Sequence, residues 1–70
     1  MRHSYEFGDA TVIVRVPGGS IARDGIVREI FQTEVHPADG SLVISRGILA
    51  FYPWDAANQA LKKWKEAGDE

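Results

Sequence analysis

Ile26-Val27-Arg28-Glu29-Ile30-Phe31-Gln32-Thr33-Glu34-Val35 can be laid on a helix or on a strand, and the two choices give different folds. Its apolar residues Ile26, Val27, Ile30 and Phe31 stand at i, i+1, i+4 and i+5, which is helical spacing. Six of the ten residues, however, are β-branched or aromatic, and turn signals flank the stretch, Asp24-Gly25 before it and Pro37-Ala38-Asp39-Gly40 after it. Composition and flanks favour a strand. The expected fold is therefore α+β, a small antiparallel β-meander of four or five strands with one C-terminal amphipathic α-helix. Were residues 21–35 helical, the order would become β-α-β-β-α.

Moving towards the N-terminus, Ile21–Arg23 and Ile26–Arg28 read as a hairpin, because Asp24-Gly25 supplies the positive φ angles of a type I′ turn. Pro17-Gly18-Gly19-Ser20 reads as a loop. It could offer N–H groups to a phosphate, especially if a helix began at Ser20, but the downstream Gly-Lys-Ser/Thr of a P-loop and the glycine spacing of a dinucleotide site are missing. In Ser4–Val16, Tyr5 and Phe7 share one parity and Ala10, Val12, Val14 and Val16 the other. A bulge or tight turn at Gly8-Asp9 would bring all six to one face and send Arg15 outward.

Moving towards the C-terminus, Leu42-Val43-Ile44 and Ile48–Tyr52 read as strands, joined at Arg46-Gly47 or continuous through it, and apolar enough to be central in the sheet. A helix follows. Pro53 suits its first position, and Asp55 sets a carboxylate against the positive end of the helix dipole. Trp54, Ala57, Ala60, Leu61, Trp64 and Ala67 fall on one arc, with Asp55, Gln59, Lys62, Lys63 and Glu66 opposite. Both tryptophans and Leu61 are thus expected on the sheet. Gly68 ends the helix, and Asp69-Glu70 are expected to fray.

Seventy residues make a single small domain, 1–70. A core of this size supplies only about 3–5 kcal/mol, which leaves little to hold a strained active site and makes a homodimer worth expecting. There is no cysteine, so disulfides, thiolate metal sites and thiol nucleophiles are excluded. The composition, 44% hydrophobic and 26% charged, is that of a globular chain rather than a disordered one. The first residues lack the apolar run of a signal peptide and no stretch has membrane-spanning length, so a cytoplasmic protein with no membrane partner is expected. A net charge of −2 is too balanced for a generic nucleic-acid binder and too weak for a mimic of DNA.

Catalytic constellations are missing from the pattern. Glu34 and His36 would share a strand face with Asp39 nearby, but no histidine pair stands at ligand spacing, and no metal or other cofactor is expected. None of Ser4, Ser20, Ser41 or Ser45 lies in a Gly-x-Ser-x-Gly elbow. The reading is of a non-enzyme without a small-molecule substrate. What stands out is Phe51-Tyr52-Pro53-Trp54 at the strand-to-helix junction. Packing alone would make Phe51 and Trp54 core and Tyr52 half-buried. Alternation nevertheless leaves at least one aromatic for the surface, where Tyr, Trp and Arg concentrate binding energy.

The expected function is stoichiometric protein binding through Tyr52, Trp54, Arg46 and Arg28. Size and class suggest an adaptor or inhibitor, of the kind phages and mobile elements encode against larger host complexes such as defence machinery. The alternative is a small nucleic-acid-binding β-domain. It would use Arg15, Arg28 and Arg46 as an outward row, with Tyr52 for stacking and Lys62, Lys63 and Lys65 on the helix. Glu6, Glu29 and Glu34 would interleave with that row.

Overall fold

The structure is a computed structural model that describes residues 2–68, with side chains described for all of these except 17–21, 23 and 68. The expected fraying of Asp69-Glu70 lies outside the described residues. Four strands and one helix follow in order: β1 (Arg2–Glu6), β2 (Ala10–Arg23), β3 (Ile26–Pro37), β4 (Ile44–Ala50) and α1 (Pro53–Gly68). The sheet is an antiparallel meander, β1-β2-β3-β4, so each strand lies beside its sequence neighbours and β1 and β4 form the edges.

The turns carry out what the sequence writes. Phe7 and Ala10 exchange both main-chain hydrogen bonds, at 2.8 and 3.3 Å, around Gly8-Asp9. This tight hairpin resolves the change of phase. Tyr5 lies opposite Val12, and Tyr5, Phe7 and Val16 pack on the cluster that holds Ala10, Val12 and Val14. Asp24 and Gly25 have φ of 55° and 74°, the paired left-handed conformations of a type I′ turn, and they bring Arg23 opposite Ile26.

Residues 26–35 are strand throughout, in β3. The strand wins because both of its neighbours bury the same parity. Phe31, Thr33 and Val35 point into the core from β3, level with Val14 and Val12 on β2 and with Ile48, Arg46 and Ile44 on β4. The alternating face carries Gln32, Glu34 and His36. Fully burying a side chain such as Phe31 or Val12 contributes roughly 1.5–3 kcal/mol, more than the intrinsic preference of any residue for helix.

Two local expectations are corrected. Pro17-Gly18-Gly19-Ser20 is not a loop between strands, since its backbone lies within the fourteen-residue β2. The register shifts between Arg15, opposite Gln32, and Gly19, opposite Ile30, so residues 16–18 form a bulge, where a proline without an N–H is tolerated. No helix begins at Ser20, whose backbone continues in β2. Likewise Leu42-Val43 is coil. Ala38-Asp39 turns the chain, Ser41 folds back on Asp39, and the strand begins only at Ile44, leaving Leu42 88% exposed. β4 then runs unbroken through Gly47. It is an edge strand rather than a central one.

α1 crosses one face of the sheet over β2, β3 and β4 and touches β1 only at its margin. Ala56, Ala57 and Ala60 are its fully buried residues, with Leu61 and Trp64 packed beside them. Three alanines let the helix axis approach the strands closely. They also set the centre of the buried arc, and Trp54 falls outside it, 54% exposed. The expectation that both tryptophans pack on the sheet is thus corrected: Trp64 does and Trp54 does not. Among the described residues, no helix is long and apolar enough to cross a membrane.

Candidate functional site

The chain leaves β4 at Ala50 and enters α1 at Pro53, so Phe51 and Tyr52 must turn a corner at one end of the sheet. The turn exposes them. Phe51 is 49% and Tyr52 57% exposed, which corrects the expectation of a buried Phe51. The Tyr52 and Trp54 rings lie parallel, 5.6 Å between centroids and 6° between planes. Two anchors hold the pair. The Tyr52 carbonyl accepts the first helical hydrogen bond, from Ala56 N–H at 3.1 Å, and Asn58 donates its Nδ2 to the Trp54 carbonyl at 3.0 Å. The stack is therefore tied by hydrogen bonds to the start of a helix, Tyr52 just before it and Trp54 in its first turn.

Phe51 belongs to the sheet face turned away from the helix. The Arg28 guanidinium lies over its ring, 5.4 Å from the centroid. Register places Glu29 opposite Ala50, which brings Arg28 alongside Phe51. Ile30 and Leu49 face each other one step further along, and Leu49 and Ile26 are partly exposed. An aromatic and aliphatic surface with one cation thus borders the corner. Cation–π contacts of this kind contribute about 0.5–1 kcal/mol where exposed.

The sequence-derived binding residues divide in space. Tyr52, Trp54 and Arg28 come to the same end of the sheet. Arg46 does not, because it stands opposite the core residue Thr33, and directly opposed residues share a face. It therefore lies on the helix side of edge strand β4, about 13 Å along the strand from Ala50. The same register undoes the expected row of arginines. Arg15 lies opposite Gln32, which in turn lies opposite Gly47, so Arg15 and Arg46 point from opposite faces.

Charge pairing divides the basic residues further. Arg15 is 3.7 Å from Glu34, and Lys65 is 3.3 Å from Asp9. Lys62 and Lys63 are exposed on the helix. Glu34 and His36 do share a face, Oε1 to Nε2 at 3.5 Å, while the Asp39 carboxylate is engaged by Ser41. The Ser41 hydroxyl and N–H both donate to its Oδ1, at 2.6 and 2.9 Å, and hold its carboxyl below the ordinary aspartate range. His3 lies on the helix side, away from His36. Among the described residues no three histidine, aspartate or glutamate side chains converge as metal ligands.

No family model matches the chain, and neither the curated proteins nor the solved structures hold a significant match to it. The geometry alone must therefore carry the functional reading. Phe51, Leu49 and Ile26 are the members of this surface that residue-by-residue reading left out. Only the adjacency of Phe51 to Tyr52 signalled it, since exposure of Leu49 follows from its place on the sheet face that the helix leaves uncovered.

Proposed function

We propose that this chain is a non-enzymatic module that binds one protein partner at the β4–α1 corner, with Tyr52 and Trp54 as the anchors. The observation that supports this most is the stacked aromatic pair, both residues more than half exposed, Tyr52 just before the helix and Trp54 in its first turn. Rigid aromatics lose little conformational freedom on docking, and Tyr, Trp and Arg dominate the binding energy of protein interfaces. Arg28 over Phe51 supplies the neighbouring polar-aromatic contact, and Ile26 and Leu49 an apolar rim. Arg46 belongs to another surface and is left out of the anchor set. An adaptor or inhibitor seated on a larger host complex is one form of this reading.

Nucleic-acid binding is less well supported, because the basic residues divide among three surfaces and two of them face carboxylates. Affinity for phosphates rests on cations that act together along one track.

The test is capture from native host lysate with the intact chain, with and without nuclease, beside the Tyr52→Ala/Trp54→Ala variant. One partner in near-stoichiometric yield, surviving nuclease and lost in the variant, is expected. A partner retained by the variant, or lost on nuclease treatment, would overturn the reading.

A further inference from the structure

We propose that two copies of this chain pair antiparallel along β1, on a two-fold axis at Ser4, joining two four-stranded sheets into one of eight strands. This does not rest on the partner-docking surface, which lies at another edge.

The phase of the edge comes first. Phe7 and Ala10 exchange both main-chain hydrogen bonds, and in an antiparallel ladder bonded and non-bonded pairs alternate. Tyr5 with Val12 and His3 with Val14 are then bonded pairs. The N–H and C=O groups of Arg2, Ser4 and Glu6 therefore face away from β2, towards the open edge. Self-pairing must match those three residues with one another. Centring the axis on Ser4 does so over the whole strand: Arg2 meets Glu6 of the second copy, Ser4 meets Ser4, and Glu6 meets Arg2. Three edge-facing residues in each copy, two groups apiece, complete six main-chain hydrogen bonds.

The side chains fit the same register. Arg2, Ser4 and Glu6 lie on the face away from the helix and are exposed. Arg2 stands opposite Arg15, an unfavourable like-charge pair, and among the described residues neither Arg2 nor Glu6 is in an ion pair. The second copy supplies the missing opposite charge at both ends of the seam. On the helix side, His3 and Tyr5 are half-buried with rings 6.3 Å apart, and each meets the other's counterpart across the axis. α1 touches β1 only at its margin, so the edge is open to a second strand.

The other edge is less self-complementary. Pairing β4 with itself about Gly47 sets Arg46 against Ile48 and Ile44 against Ala50, which matches no charges and centres on a glycine that weakens a strand. A five-residue seam is small beside the ~1,200–2,000 Å² of a stable interface. The dimer is accordingly concentration-dependent.

Sedimentation equilibrium of the untagged full chain, up to millimolar concentration, tests this. A monomer–dimer equilibrium is expected for the natural sequence. Arg2→Glu and Glu6→Arg should each be monomeric, whereas their equimolar mixture and the Arg2→Glu/Glu6→Arg double variant should dimerise again. Ser4→Pro removes the central edge-facing N–H without touching the β1–β2 bonds, and should abolish the dimer. Should a single reversal unfold the chain, rising salt still reads the ion pairs and should weaken the natural dimer. A chain monomeric at millimolar concentration, or a dimer indifferent to both charge reversals and to salt, would overturn the proposal.

Discussion

Thr33 is buried in the core, and its hydroxyl donates to the Arg46 carbonyl at 2.9 Å, tying the edge strand to the sheet from within. A neutral hydrogen bond of this kind contributes about 1 kcal/mol net. Thr33→Val keeps shape and β-branching, so it should lower stability by about that amount, or roughly 4–8 °C of Tm in a domain of this size. Thermal unfolding of the variant beside the natural chain reads the difference, and an unchanged midpoint would remove the bond from the account. At Asp39 the expected effect depends on pH. Hydrogen bonds from Ser41 favour its ionised form and lower its folded pKa. The stabilisation is then present above the unfolded aspartate value and lost as pH falls through the folded one. An NMR titration should show the Asp39 carboxyl and the Ser41 amide moving together, with a midpoint below that of the same segment as a free peptide. Single residues of this sort were partly legible in the sequence. Asp24-Gly25 announces its turn because few residues accept positive φ. The face on which Arg46 stands was not legible, since it follows from the pairing of strands, which no local pattern records.

The helix shows the same limit one level up. Its existence and span follow from Pro53, Asp55 and the apolar spacing, but spacing alone does not say where the buried arc is centred. Counting large apolar residues centres it between Trp54, Leu61 and Trp64. Packing centres it instead on Ala56, Ala57 and Ala60, because small residues let the helix approach β2, β3 and β4 most closely. The tryptophans should then respond very differently to truncation. Trp64→Ala removes a ring packed on the core and should cost about 3 kcal/mol, at the low end for buried tryptophan. Trp54→Ala removes an exposed ring and should cost within about 0.5 kcal/mol, as surface substitutions do. Urea unfolding of both variants measures this. A Trp54 cost matching that of Trp64 would place Trp54 in the core and undercut its role as an anchor. In β3 the outcome was the reverse: β-branched composition outweighed helical spacing, because both neighbouring strands bury the parity of Phe31, Thr33 and Val35. The sequence does not reveal β4 as an edge, because an apolar strand covered by a helix on one face resembles a central one.

At the scale of the molecule, one sheet covered by one helix leaves much surface uncovered. The Cα radius of gyration is 12.3 Å, where a compact chain of this length would have about 11 Å. The excess reflects the length of the second hairpin. β1 faces β2 only over Arg2–Glu6, and β4 faces β3 only from Glu29 to Val35. Beyond those limits Ile21–Arg23 and Ile26–Arg28 have only each other, forming a two-stranded arm past the bulge at residues 16–18. A hairpin without a third strand or a packed face is marginal in water. It should therefore open without the rest of the sheet, at a lower free energy than the core strands. Hydrogen exchange resolved by residue should show it. The arm amides Ile21, Arg23, Ile26 and Arg28 should exchange at least roughly tenfold faster than Ile13 and Glu34, which lie in the four-stranded part. Equal protection would mean that the arm opens only with global unfolding. Arg28 stands at the base of the arm and lies over Phe51, so docking at the aromatic corner should slow exchange there first. A bound partner that leaves the Arg28 amide unchanged while protecting the tip would move the docking surface from the corner to the arm.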